Sequence, residues 1–171
     1  MDAVTHVPAP INETVLDYAP GSPERAALEV ALVELSGTKH DLPHTIGGVR
    51  VEGKGPRLEV RQPHAHAKVL GVTRGATKTE AAAAVDAAVA AAPAWRDMAF
   101  DDRAAILLKA ADLLAGPWRA KINAATMLGQ SKTAYQAEID AACELIDFWR
   151  FNVHFARQII AEQPPANSRG L

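Results

Sequence analysis

At 171 residues the chain is long enough for one domain with a proper core, or for a piece of a larger one, and too short for two comfortable domains. Its 18 basic and 20 acidic side chains leave a formal charge of −2 with no basic stripe along the sequence, which argues against nucleic acid as a partner. The lone cysteine rules out an internal disulfide framework and suits a reducing cytoplasm, and no stretch is apolar and long enough to span a bilayer, so a soluble cytoplasmic protein is expected.

Residues 1–20 carry Pro8, Pro10 and Pro20 without apolar periodicity and are expected to form an extended arm, lying on something or trailing in solvent. Asp2 and the prolines stand where a signal peptide would place a basic flank and an apolar run, so no export signal is expected. "GSPERAALEVALVELSG" predicts a helix over 22–36, with Ser22 as N-cap, Pro23 at the first helical position, Gly37 as its stop and Leu28, Ala31, Leu32 and Leu35 as its buried stripe. Between 45 and 74, β-branched runs alternate with Gly and Pro breaks and predict three or four short strands. Thr77 and Thr79 offer N-caps for an alanine-rich helix over about 78–92, which Pro93 should end or bend. A helix over 101–115 follows, with Asp101 as its cap, Ile106, Ala110, Leu113 and Leu114 on one face, and Gly116 closing it. Pro117 restarts the chain as a helix over 117–128 through Trp118, Ile122, Ala125 and Leu128, and Gly129 is expected to end it. The last helix is placed at 133–161, before a polar, proline-broken exit at 164–171.

This last helix is apolar on two sides. At about 100° per residue, Ile139, Ala142, Ile146, Trp149, Val153, Ala156 and Ile160 share one stripe, while Glu144, Phe148, Phe151 and Phe155 share another on the opposite side. A helix patterned in this way is normally sandwiched, so the second face calls for a partner that the chain itself need not contain.

Four constellations suggest chemistry. "GQSKT" at 129–133 has the residue types of a phosphate loop, but the required earlier glycine and preceding strand are missing, so a C-cap followed by an N-cap explains it. His64 and His66 could present two imidazoles to a metal, yet no third ligand stands near them, and no metal site is expected. Cys143 sits mid-helix beside the apolar stripe without a local cation, which points to packing rather than nucleophilic chemistry. Glu138, Asp140 and Asp147 have the pattern of a solvated flank, whereas Glu144 heads the aromatic stripe and either reaches water or faces an apolar pocket.

The run "TMLGQSKTAYQAEIDAACELIDFWRFN", with "GSPERAAL" upstream and "DDRAAILLKAADLLAGPWR" between, resembles the N-terminal part of the 1-pyrroline-5-carboxylate dehydrogenases, and "VRQPHAHAKVLGVTRGATKTEAAAAVDAAVAAAPAW" is similar to the opening hairpin and first helix of the aldehyde dehydrogenase superfamily. The resemblance runs from about Tyr18 to Gln163. It implies an α/β enzyme in which this chain is a mainly helical piece, with a short β-hairpin region, of the N-terminal, NAD-binding domain. The implied reaction is NAD-dependent oxidation of L-glutamate γ-semialdehyde to glutamate in proline catabolism, by way of a cysteine thiolate, a water-activating glutamate and an oxyanion hole. None of those groups maps onto these residues, so catalytic, cofactor-binding and metal residues are expected to be absent from 1–171, and the chain alone is expected to be inactive. Glu144 is the one position the resemblance places near the substrate pocket, in a supporting role. The resemblance also implies assembly as a homo-oligomer when the enzyme is full length. The competing expectation is a non-catalytic helical module that docks on full-length subunits through Phe148, Phe151 and Phe155.

Overall fold

A computed structural model describes residues 9–162; the first eight residues of the expected arm and the exit expected at 164–171 lie outside the described residues. The described chain is mainly helical with two small sheets. Its order is α1 (Pro23–Gly37), β1 (His40–Asp41), β2 (His44–Ile46), β3 (Val49–Val51), β4 (Arg57–Gln62), β5 (Ala65–Arg74), α2 (Lys78–Asp97), α3 (Phe100–Ala115), α4 (Arg119–Gln130), α5 (Ala134–Ala137), a π turn (Glu138–Cys143) and α6 (Glu144–Ala161). No helix among the described residues is long and apolar enough to cross a membrane.

Local chemistry explains three of the helix starts. The Ser22 hydroxyl accepts the Arg25 N–H, and Thr77 and Thr133 each form a reciprocal capping box, with Glu80 and Gln136 respectively. At α3 the expectation fails: Ala99 is the cap residue and makes no side-chain bond, while Asp101 sits inside the first turn and pairs with Arg157 of α6. Pro93 does not end α2, which runs on to Asp97. Gly129 does not end α4 either; the turn comes two residues later at Ser131, which takes the left-handed conformation at φ 59° and donates its N–H to Met127 O.

Four strands, β2 to β5, form in the region where three or four were expected, and a fifth, β1, precedes that region as a two-residue parallel pairing with β5. The three-stranded sheet has the order β1-β5-β4, with β4 and β5 antiparallel. A separate hairpin pairs β2 with β3 through Gly47 and Gly48, both at positive φ as a two-residue turn of this kind demands. At the far end of the larger sheet, Gly55 and Gly75 lie backbone against backbone: Gly55 N–H donates to Gly75 O at 2.8 Å, and Gly75 N–H donates to Pro56 O at 2.9 Å. A Cβ on Gly55 would stand 2.5 Å from the Gly75 oxygen, with no flexible atom able to give way. Gly55→Ala is therefore expected to cost about 1–3 kcal/mol, measured by thermal unfolding, and an unchanged transition would show that the pair can separate without loss.

Helix packing places the core in two clusters. Ala111 and Leu114 of α3 meet Ala142 and Ile146, while Leu28 of α1 meets Ala124 of α4 and Tyr18 of the arm. The stripes on α3 and α4 are rotated from those expected. α3 turns Ala104, Ala111 and Leu114 inward and leaves Ile106 and Leu113 exposed, because its small residues allow close approach to α6. α4 buries Arg119, Asn123, Ala124 and Leu128 while Trp118 stays exposed beneath the Lys121 ammonium, since its inward face serves a polar cluster as well as an apolar one.

Candidate functional site

The centre of that polar cluster is Glu138, whose side chain is fully buried. Its carboxylate accepts from Leu16 N–H at 2.9 Å, Tyr18 O–H at 2.7 Å, Asn123 Nδ2 at 2.7 Å and Arg119 Nε at 3.3 Å, and it forms a further short ion pair with Arg119 Nη2. Arg119 in turn donates to Glu13 Oε1 at 2.7 Å and to Thr14 O at 2.6 Å, and Arg150 Nη1 reaches Glu13 Oε2 at 2.6 Å. The arm is thus strapped across the helices by charge as well as by packing. Burial alone would push the Glu138 carboxyl up, but the Arg119 pair and the other donors outweigh it and hold the group below the usual carboxylate range. Tyr18 is pushed up, first by burial, then by its hydrogen bond to Glu138 and by that group's charge. The assignment of Glu138 to a wet flank is therefore wrong. Only its partners, brought from distant parts of the chain, reveal its role.

Cys143 lies at the edge of this cluster. It does have a cation beside it, contrary to the sequence expectation: Arg119 Nη2 is 3.4 Å from its sulfur. That charge is already committed to Glu138, and burial followed by the Glu138 charge pushes the thiol up to about 11. Cys143 is expected to resist a thiol reagent at about pH 8 in the folded protein and to react fully once unfolded by urea. Labelling of the folded chain at the rate of a free thiol would contradict this.

The second assembly is an open groove of about 350 Å³ on the opposite side of α6. Phe148, Phe151 and Phe155 supply its apolar wall, and Glu144, Asp147, Asn152 and the arm's Asn12 supply its polar one. Phe148 is 59 % and Phe155 50 % exposed, so this stripe lies open while Ala142, Ile146 and Val153 on the other stripe are buried. Ile160, expected on the covered stripe, is exposed because α6 extends past the helices that cover its earlier turns. Glu144 is exposed at the head of the aromatic stripe, on the border with a second cleft lined by Ile122, Lys132 and Asp140.

The remaining motifs resolve into structure. In "GQSKT", Ser131 makes the turn, Lys132 pairs with Asp140 at 2.6 Å and Thr133 caps α5. His64 Nδ1 lies 2.8 Å from Ser131 Oγ, and no group of three potential metal ligands occurs among the described residues.

With this geometry in hand, comparison with known proteins gives a consistent result. The model of the aldehyde dehydrogenase family matches residues 50–170. The Delta-1-pyrroline-5-carboxylate dehydrogenase of Agaricus bisporus is 44% identical over 98% of this chain and 31% of its own length, and the mitochondrial enzyme of Homo sapiens is 45% identical over 90% of this chain and 27% of its own. Among solved structures, the NAD-bound Delta-pyrroline-5-carboxylate dehydrogenase of Mycobacterium tuberculosis superposes with a TM-score of 0.92 at 61% identity, over 98% of this chain and 31% of that one. The chain thus spans a little under a third of the length of these relatives. With its fold and most of its sequence matched in this way, the chain belongs to the aldehyde dehydrogenase family.

Proposed function

We propose that these residues form the N-terminal portion of an NAD-dependent L-glutamate γ-semialdehyde dehydrogenase, which oxidises the open form of 1-pyrroline-5-carboxylate to L-glutamate in proline degradation. The observation that carries this reading is the match of 98% of the chain to the Mycobacterium tuberculosis enzyme at 61% identity. Within it, the part of the chain that meets substrate is the Glu144 and phenylalanine groove, and Glu144 supports the pocket without taking part in bond making. The reading also includes assembly as a homo-oligomer when the remaining length is present, and a cytoplasmic location, for which the free cysteine speaks.

NAD supplies the hydride acceptor in such an enzyme, but the residues present do not fit a dinucleotide. The starts of α2 and α5 are already filled by their own side chains, Glu80 taking the Thr77 and Lys54 N–H groups and Gln136 the Thr133 N–H, and the uncapped start of α3 carries Asp101 and Asp102, which repel an anion. The chain's own contribution is a wall and a scaffold, and by itself it should turn over no substrate.

The test is a chimera in which these residues replace the matching part of the Mycobacterium tuberculosis enzyme. It should reduce NAD with pyrroline-5-carboxylate, and Glu144→Ala in it should change KM or kcat. A folded chimera without activity would refute the reading. The open face of Phe148 and Phe155 favours a second reading, a module that docks on full-length subunits. Co-elution of the isolated chain with the intact Mycobacterium tuberculosis enzyme would support that one.

A further inference from the structure

The groove and the buried cluster are joined by the arm, and at the groove the join is made by one carboxylate. Asp147 accepts Asn12 Nδ2 on one oxygen and the Glu13 N–H on the other, each at 2.7 Å. The arm segment at these positions has no regular structure of its own. Asn12 is nevertheless part of the groove wall that Glu144 and the phenylalanines complete. Farther along, the arm is anchored independently: Thr14 O and the Glu13 carboxylate are held by Arg119, and Leu16 N–H and Tyr18 O–H by Glu138. Removing the Asp147 carboxylate would leave those anchors in place. Only the stretch that carries Asn12 would be released.

We propose that Asp147 is a positioning residue for the groove. By fixing Asn12 it sets the polar end of the wall, and so the affinity for a small-molecule substrate, without touching the reacting atoms. A released Asn12 must be ordered again whenever substrate binds, and that cost appears in binding rather than in the chemical step. The inference rests on reading the groove as part of the dehydrogenase's substrate pocket.

The chimera described above tests it. Asp147→Ala should raise KM for pyrroline-5-carboxylate about tenfold while kcat stays within about twofold, the pattern of lost binding. Asp147→Asn keeps one acceptor oxygen, so it can hold one of the two N–H donors and should fall between the parent and Asp147→Ala. Hydrogen exchange supplies a readout independent of turnover: the Glu13 amide should lose protection in Asp147→Ala while the Leu16 amide, held by Glu138, keeps it. An active chimera whose KM is unmoved by Asp147→Ala, or whose Glu13 amide stays protected, overturns the positioning role alone. An inactive parent chimera overturns the functional reading, and this inference falls with it.

Discussion

Glu138→Ala is expected to destabilise the chain by about 3–5 kcal/mol, the usual cost of removing one partner from a buried ion pair. The loss is not that of a single contact. Among the described residues, Arg119, itself buried, would be left with Glu13 alone to neutralise it, and Tyr18 O–H, Asn123 Nδ2 and the Leu16 N–H would each lose an acceptor. A companion Arg119→Met should recover part of the loss, because the orphaned charge is then gone as well. Urea unfolding of the two single variants and the double variant measures this. Strictly additive effects would show that Glu138 and Arg119 do not act as a unit.

The same cluster sets how stability changes with pH. Glu138 is held below its ordinary value, so its contribution is fully present above the unfolded value of about 4.5 and is lost as pH falls through the lower folded value. Cys143 and Tyr18 are raised, so their contributions are present below the ordinary 9.0 and 10.0 and are lost as pH rises, from 9.0 toward about 11 in the case of Cys143. Stability should therefore fall on both sides of a neutral plateau. Glu138→Gln should flatten the acid side while lowering the plateau.

Features written in neighbouring residues could be read from the sequence. The Ser22, Thr77 and Thr133 caps each involve partners three positions away, and the open aromatic face follows from spacing within one helix. What could not be read depends on distance along the chain. The N–H and O–H donors to Glu138 come from 15 to 122 positions away, and nothing beside it distinguishes it from Asp140, which does face solvent. Asp101 shows the same limit from the other side: a good capping residue in sequence, it is engaged instead by Arg157 from 56 positions downstream. Nothing about an exposed glutamate beside three phenylalanines specifies a substrate, so a pocket role for Glu144 rests on the family resemblance alone.

The π turn is the other reason Glu138 departs from the solvated flank its spacing predicts, and it leads to a second large expected effect. Counting back from the buried Ile146 at about 100° per residue, an unbroken α-helix would turn Tyr135 inward and place Ala137 on the opposite side. The structure does the reverse: Tyr135 is 62 % exposed, while Ala137 and Glu138 are fully buried. The turn at Glu138–Cys143, where Glu144 N–H bonds to Ile139 O, amounts to one inserted residue, and discounting it brings Ala134 and Glu138 onto the face of Ile146 and moves Ala137 from the opposite side to its flank. Deleting Ala141 should therefore convert the turn to ordinary α-helix and rotate Ala134–Glu138 by about 100° against α6. Either Glu138 leaves Arg119, or Ile146 leaves the cluster it forms with Ala111, Leu114 and Ala142. The expected loss is at least that of Glu138→Ala, whereas deletion of an alanine from an unbroken helix end should cost far less. Unfolding by urea, with exchange at the Leu16 amide reporting on Glu138, distinguishes the two. If the deletion leaves stability and that protection intact, the extra residue is not what aims Glu138 into the core, and the α-helical phase would have to be satisfied by some other shift of the arm and α4.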